Sequence, residues 1–292
     1  MNLTHLRSFI SATAFACLAA CSPSPSKVVA EFDAAITAGN LDAAMNMVAD
    51  NVEVTDPTGA KVNGKADTRA MFDAWAQKHG TCELVGTRQT EGNKVTWMGK
   101  VASDDLTKLG VAPLEVSHEA MIDQGKIVSM TMMFTPEAST KMQTAMNEQT
   151  KKVYMDFHTA MNAANLDAAV AAFSEAGALN ILPDHTFTGA EQLRAHFTET
   201  FAQHPQFEIV GTPEVAGNKV TITANVTRDD WKKLNIAPLQ MRAEATIANE
   251  KITSMTVAMT PESAEKFTQA MASAQPAASS AAKAATKPAK KK

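Results

Sequence analysis

Hydrophobic and polar positions along this chain fall into two long phrases with the same order of elements. Val28, Val29, Phe32, Ala35 and Ile36 recur at spacings of three and four, the stripe of a helix with one buried face, and Gly39 ends it. Leu41 to Val48 reads as a second, short helix. Val52, Val54 and Asp56 alternate as a strand, and Pro57-Thr58-Gly59 turns the chain. A longer helix follows, clearest in the second phrase, where Leu193, Phe197, Phe201 and His204 lie four and three apart. The rest of each phrase alternates as strands: Val95, Trp97, Gly99 and Val101, then Val116, His118, Ala120 and Ile122, then Ile127 to Phe134 after a Gln124-Gly125 turn. A short helix that starts with Pro136 closes the first phrase.

The second phrase is a copy of the first at a constant offset of 125 residues. Asn40-Leu41-Asp42-Ala43-Ala44 returns as Asn165-Leu166-Asp167-Ala168-Ala169, Gly92-Asn93-Lys94-Val95-Thr96 as Gly217 to Thr221, and Thr135-Pro136-Glu137 as Thr260-Pro261-Glu262. So long a period marks a duplicated domain rather than a solenoid. Each copy therefore serves as a control for the other: a polar residue that the other copy replaces by an apolar one is not required by the fold.

The ends of the chain read differently. Arg7 precedes a small, apolar run from Phe9 to Ala20 with no acid in it, an export signal too short to span a bilayer permanently. Leu18-Ala19-Ala20-Cys21, followed by the Ser/Pro linker Ser22 to Ser26, resembles the lipobox of bacterial lipoproteins. That resemblance implies acylation of Cys21, cleavage before it and a stable membrane anchor. Ser22 is not the aspartate that retains such proteins in the inner membrane, so the expected address is the outer membrane, facing the periplasm. Of three cysteines, Cys17 leaves with the signal and Cys21 carries lipid. Cys82 then has no intramolecular partner and reads as a small core residue. From Ala272 onward the chain is Ala, Ser, Pro and Lys with a single Gln and Thr, the composition of a disordered tail. Removing the signal's one and the tail's five positive charges takes the formal net charge from −4 to −10. An acidic body argues against nucleic acid, while the basic tail suits anionic envelope polymers or headgroups. The expected layout is a signal at 1–20, a linker at 21–27, domains at 28–147 and 153–271 joined by Asn147 to Lys152, and a tail at 272–292.

Helices first and meandering strands after them make an α+β plan, with helices packed on one curved antiparallel sheet. A helix ending in Ala-Gly-Asn-Leu-Asp-Ala-Ala, then Val52-Glu53-Val54-Thr55 leading to Asp56-Pro57-Thr58-Gly59, then a helix led by Gly64, resembles the nuclear transport factor 2-like superfamily. Ketosteroid isomerase and polyketide-cyclase-like proteins belong to that superfamily. The resemblance implies two cone-shaped domains with apolar pockets, able to pair through their sheets as an intramolecular pseudo-dimer.

Several polar residues invite a chemical reading. Asp56 shares a strand face with Val52 and Val54, and its counterpart is Ile181; His118 shares one with Val116 and Ala120, and its counterpart is Ala243. Both therefore read either as inward-facing site residues or as a turn-capping aspartate and a core histidine. The resemblance places Asp56 where the isomerase carries its proton-abstracting aspartate, a base that an apolar pocket would tune. Phe32 occupies the place of a hydrogen-bond donor and has none, while His118 falls near the second donor. Phe32, Asp56, Trp97 and His118 are thus the candidate pocket and Asp56 the candidate catalytic residue. Polar residues found in both copies read as structural: Asp42 and Asp167 at a helix start, Arg69 and Arg194, Glu119 and Glu244, and His79 and His204 at a helix end. No metal cluster, phosphate loop, dinucleotide fingerprint or nucleophile triad is present in the sequence, and no cofactor is expected. Three functions are consistent with this pattern. The first is a non-enzymatic lipoprotein that binds an apolar small molecule or acts as a scaffold. The others are an isomerase, cyclase or hydratase using Asp56, and an accessory subunit that binds an envelope protein through its sheet.

Overall fold

The computed structural model describes residues 23–274, so the signal, Cys21 and the basic tail lie outside the described residues. The elements of the first copy are α1 (Pro25–Thr37), α2 (Leu41–Asn46), β1 (Val48–Thr55), β2 (Lys61–Asn63), α3 (Lys65–Gln77), β3 (Thr81–Glu91), β4 (Lys94–Ala102), α4 (Asp104–Lys108), β5 (Leu114–Asp123) and β6 (Lys126–Phe134). A helix α5 (Pro136–Asn162) leads into the second copy: α6 (Leu166–Ala171), β7 (Phe173–Ile181), β8 (His185–Thr188), α7 (Gly189–Phe201), β9 (Gln206–Ala216), β10 (Lys219–Thr227), α8 (Asp229–Lys233), β11 (Leu239–Ala248), β12 (Lys251–Met259) and α9 (Pro261–Ala274). The described residues divide into two compact units, one holding 23–108 and 112–138, the other Leu109–Val111 and 139–274.

Each unit is an α+β domain built on one six-stranded sheet, in the orders β2-β1-β6-β5-β4-β3 and β8-β7-β12-β11-β10-β9. The sheets are mixed, which corrects the expectation of an antiparallel sheet: β1 runs parallel to β6 and β7 parallel to β12. Alternation of apolar and polar residues has the same period in both kinds of ladder, so it carries no information about direction. The parallel pair is possible because α3, α4 and four strands intervene, far more chain than the dozen residues a crossover needs.

Two further expectations shift. The helix expected to reach Val48 stops at Asn46, because Val48 already pairs with Ile127 in the sheet. The short helix after Pro136 and the connection at Asn147–Lys152 are one 27-residue helix, α5. Between Pro136 and Asn162 there is no glycine or further proline, and Met, Ala, Gln, Glu and Lys propagate the helix without a stop. At the other end α9 includes Ala272 to Ala274, three residues assigned above to the tail.

The helices cover one face of each sheet. In the first domain Val28, Val29 and Phe32 of α1 bury against Val52, Val54, Val95 and Ile127, with Phe72 of α3 set edge-on to Phe32 at 5.5 Å. In the second, Phe157 of α5 meets Phe173 edge-on and Phe197 at a tilt. Each such aromatic contributes roughly 1.5–3 kcal/mol through burial. The residues present in both copies stitch the helices together: Asn40 and Asn165 cap α2 and α6 by accepting from Ala43 and Ala168 at 3.0 and 3.1 Å. Arg69 reaches Asp42 at 2.7 Å, and Arg194 reaches Asp167 at 2.8 Å.

Candidate functional site

Of the four candidate pocket residues, Phe32 and Trp97 belong to the same core of the first domain. Asp56 has left the sheet, since β1 ends at Thr55, and its Oδ1 accepts from Thr58 N (2.8 Å), Thr58 Oγ1 (2.6 Å) and Ala60 N (3.0 Å). It is a turn-capping aspartate. Its counterpart Ile181 remains within β7, paired with Val257, so equal position does not mean equal direction. Trp97 and His118 are direct cross-strand partners on β4 and β5, with rings stacked at 4.8 Å and 11°. No hydrogen bond joins Asp56 and His118 among the described residues.

His118 has other companions. Its Nε2 lies 3.8 Å from the Cys82 thiol, and Gly99 leaves the space: a Cβ there would stand 2.7 Å from that sulfur. The second copy has Ala224 at this place. Arg88 of β3 extends over Trp97 at 6.0 Å and binds Asp33 of α1 at 2.5 Å. Burial raises the Asp33 carboxyl above its usual range while Arg88 opposes the shift. Burial, with Arg88 adding to it, lowers His118 to about 4, and burial lifts the Cys82 thiol to about 11, so it is no activated nucleophile. The acid inside the first domain is thus Asp33, one residue from Phe32. The second copy replaces this set by His158, Pro213, Phe207, Ile222 and Ala243. A shallow cleft of about 370 Å³ adds outward-facing residues such as Met98, Ser117 and Met133 to the Trp97–His118 pair.

The second domain contains a cavity of about 1030 Å³. Ile222 and Ala243, again direct cross-strand partners, form part of its wall. The Trp97–His118 stack of the first domain stands at those two positions. Replacing an indole and an imidazole by sec-butyl and methyl groups removes the filling and leaves the space open. Phe157, Phe197, Phe207, Trp231 and Met255 supply other walls, and Phe267 and Met271 of α9 close one side. Polar groups are few. Tyr154 is 3% exposed, and burial raises its phenol above the usual value. His158 follows one helical turn later, its Nε2 sealed from water and without a hydrogen-bond partner, and burial lowers its pKa. The His196 ring stacks on Phe187 at 4.1 Å and is lowered chiefly by burial. Arg228 forms a two-pronged bond with Asp230 (3.0 and 2.8 Å) and lies 4.9 Å over Trp231. Among the described residues no group of three or more metal-binding side chains occurs, and no helix is long and apolar enough to cross a membrane, which says nothing of β-barrels.

Reading the copies only from first to second missed these residues. Read in the other direction, the comparison marks Tyr154 against Val29, His196 against Met71 and Arg228 against Ser103. Each is a polar residue that the fold itself does not require.

Fold and cavity together define a duplicated cone-shaped α+β domain whose second copy holds a cavity of about 1030 Å³. The chain belongs to the SnoaL-like domain family, whose pattern it matches twice, at residues 29–130 and 154–255. No curated protein matches it. Similar solved structures include an NTF2-like protein of unknown function from Cytophaga hutchinsonii (18% identity, 39% of this chain and 92% of that one, TM-score 0.34). A candidate polyketide cyclase from Sinorhizobium meliloti is 18% identical over 37% of this chain and 94% of its own, with a TM-score of 0.33. The epoxide hydrolase/cyclase-like enzyme SalBIII, of pyran ring formation in polyether salinomycin, is 21% identical over 39% and 92%, with a TM-score of 0.34.

Proposed function

We propose that this chain is a binding protein of the bacterial envelope, anchored by lipid at Cys21, whose second domain takes up an apolar small molecule. The observation that carries the reading is the cavity of about 1030 Å³ in the second domain, apolar in its walls and with few polar groups. That volume lies at the upper end of what small-molecule sites use, and convergent aromatic walls are their usual lining. The enzyme alternative has less support, because Oδ1 of Asp56 is engaged by its own turn and the residue borders neither described cavity. The lipobox resemblance of Leu18 to Cys21 supports the address.

The first domain supplies the test of binding. Ile222→Trp with Ala243→His installs in the second domain the cross-strand pair that the first already accommodates. The expected result is a folded protein that no longer carries a ligand through mild purification, as read by native mass spectrometry against wild type. An equal ligand load in both, or none in wild type, defeats the reading. The anchor has its own test: labelled palmitate should enter the wild-type chain and vanish with Cys21→Ala, and labelling that survives the substitution overturns it.

A further inference from the structure

The chemistry inside the cavity narrows the ligand further, and this step rests on the binding reading above. Its walls combine the rigid rings of Phe157, Phe197 and Phe207 with the thioethers of Met161, Met241 and Met255, which adapt to irregular apolar shapes. Among the described residues, Arg228 is the lysine or arginine that borders the cavity, and both prongs of its guanidinium are engaged by Asp230. Glu199 and His185 border it from exposed positions. His158 and His196 are favoured in their uncharged forms by burial. A ligand carboxylate drawn in here meets no free cation, and an unpaired charge taken out of water is strongly disfavoured.

Beside the partnerless His158 Nε2, the Tyr154 hydroxyl is left to act, and of the two it is the phenol that is a donor whenever it is protonated. Tyr154 is 3% exposed, borders the cavity, and its hydroxyl has no hydrogen-bond partner among the described residues. A buried hydroxyl normally finds a partner. The first domain puts Val29 at the same place, so the phenol is not there for the fold. A protonated phenol donates one hydrogen bond and pairs best with a neutral oxygen acceptor. We infer that the ligand is an uncharged lipophile with one hydrogen-bond-accepting oxygen, as in a ketone, ester or alcohol, and that this oxygen meets the Tyr154 hydroxyl inside the cavity.

The test uses the full chain and matched probes near pH 8. Nile red, an uncharged lipophile that brightens in apolar surroundings, is bound first and then displaced by 2-tridecanone, tridecane or tridecanoate. The ketone is expected to compete at least about tenfold better than the carboxylate of equal length, and Tyr154→Phe should weaken the ketone by about five- to tenfold while leaving tridecane unchanged. The ketone-against-carboxylate comparison needs no variant, so it stands even if a melt shows Tyr154→Phe to be unstable. Tridecanoate competing as well as the ketone, or a ketone affinity indifferent to Tyr154→Phe in a folded protein, overturns the ligand class and leaves the binding reading standing. Nile red that is not taken up by wild type, or is taken up equally by the Ile222→Trp, Ala243→His variant, removes both.

Discussion

Asp56 and Ile181 occupy the same place in the two copies and have different roles. The acid closes its own turn with three accepted hydrogen bonds, while the isoleucine continues a strand. Asp56→Ala should therefore lower the stability of the first domain by about 1–2 kcal/mol in a thermal or urea melt, and leave Nile red uptake unchanged. An unchanged melting temperature would show that the turn holds without its cap. His118 behaves as a buried neutral imidazole whose folded pKa, about 4, lies below the ordinary 6.5. Between those values the unfolded chain binds more protons than the folded one, so His118 makes stability fall as pH drops from 6.5 towards 4. His118→Phe, which keeps a ring against Trp97, should flatten that part of the stability–pH curve. A slope equal to wild type would place the acid sensitivity elsewhere.

At the scale of elements, one device occurs in both domains. The residue shortly beyond α3 or α7, His79 or His204, sits at a positive φ of 49° or 45°, where L residues are uncommon. From there Nδ1 lies 2.7 Å from Asp104 or Asp229, the first residue of α4 or α8. The hydrogen bond to Asp104 raises the His79 pKa above 6.5. In the second domain His204, joined by Lys232, lowers Asp229 below 3.8. The signs differ accordingly. The His79 contribution is fully present below pH 6.5 and is lost as pH rises through the raised value; the Asp229 contribution is present above 3.8 and is lost as pH falls through the lowered one. The melting-temperature gap between wild type and His79→Gln should be widest near about pH 6 and shrink by about pH 9. A gap that does not change with pH would remove the ionic part of this contact.

At the scale of the molecule, the two copies differ in that the second holds a cavity of about 1030 Å³. Residues 139–274 hold the second sheet, its helices and the whole cavity wall, so they should fold alone, with α+β circular dichroism and one cooperative melt. The fragment lacks the Lys141-to-Val111 bond of 2.8 Å and should melt slightly below the second transition of the full chain. A fragment without a cooperative transition would mean that the second domain depends on the first. The pseudo-dimer expected from the resemblance has the same measurement: a joined chain that melts no higher than its separate domains would leave the two as independent units.

Much of this was legible in the sequence, for a physical reason. Burial on one face imposes periods of 3.6 and 2, and these appear directly in Val28 to Ile36 and in Val95 to Val101; the caps and turns at Asn40, Asn165 and Pro57 are equally local. The 125-residue offset exposed the duplication, and the difference between Trp97–His118 and Ile222–Ala243 was visible as a change of residue type. What tertiary structure alone decided was direction and enclosure. Parallel and antiparallel partners leave the same alternation, so the pairing of β1 with β6 could not be read from it. Asp56 turned to its own loop because its strand ends one residue earlier than the copy's does. The cavity depends on side-chain volumes summed over strands and helices distant in sequence, and no single position records that sum.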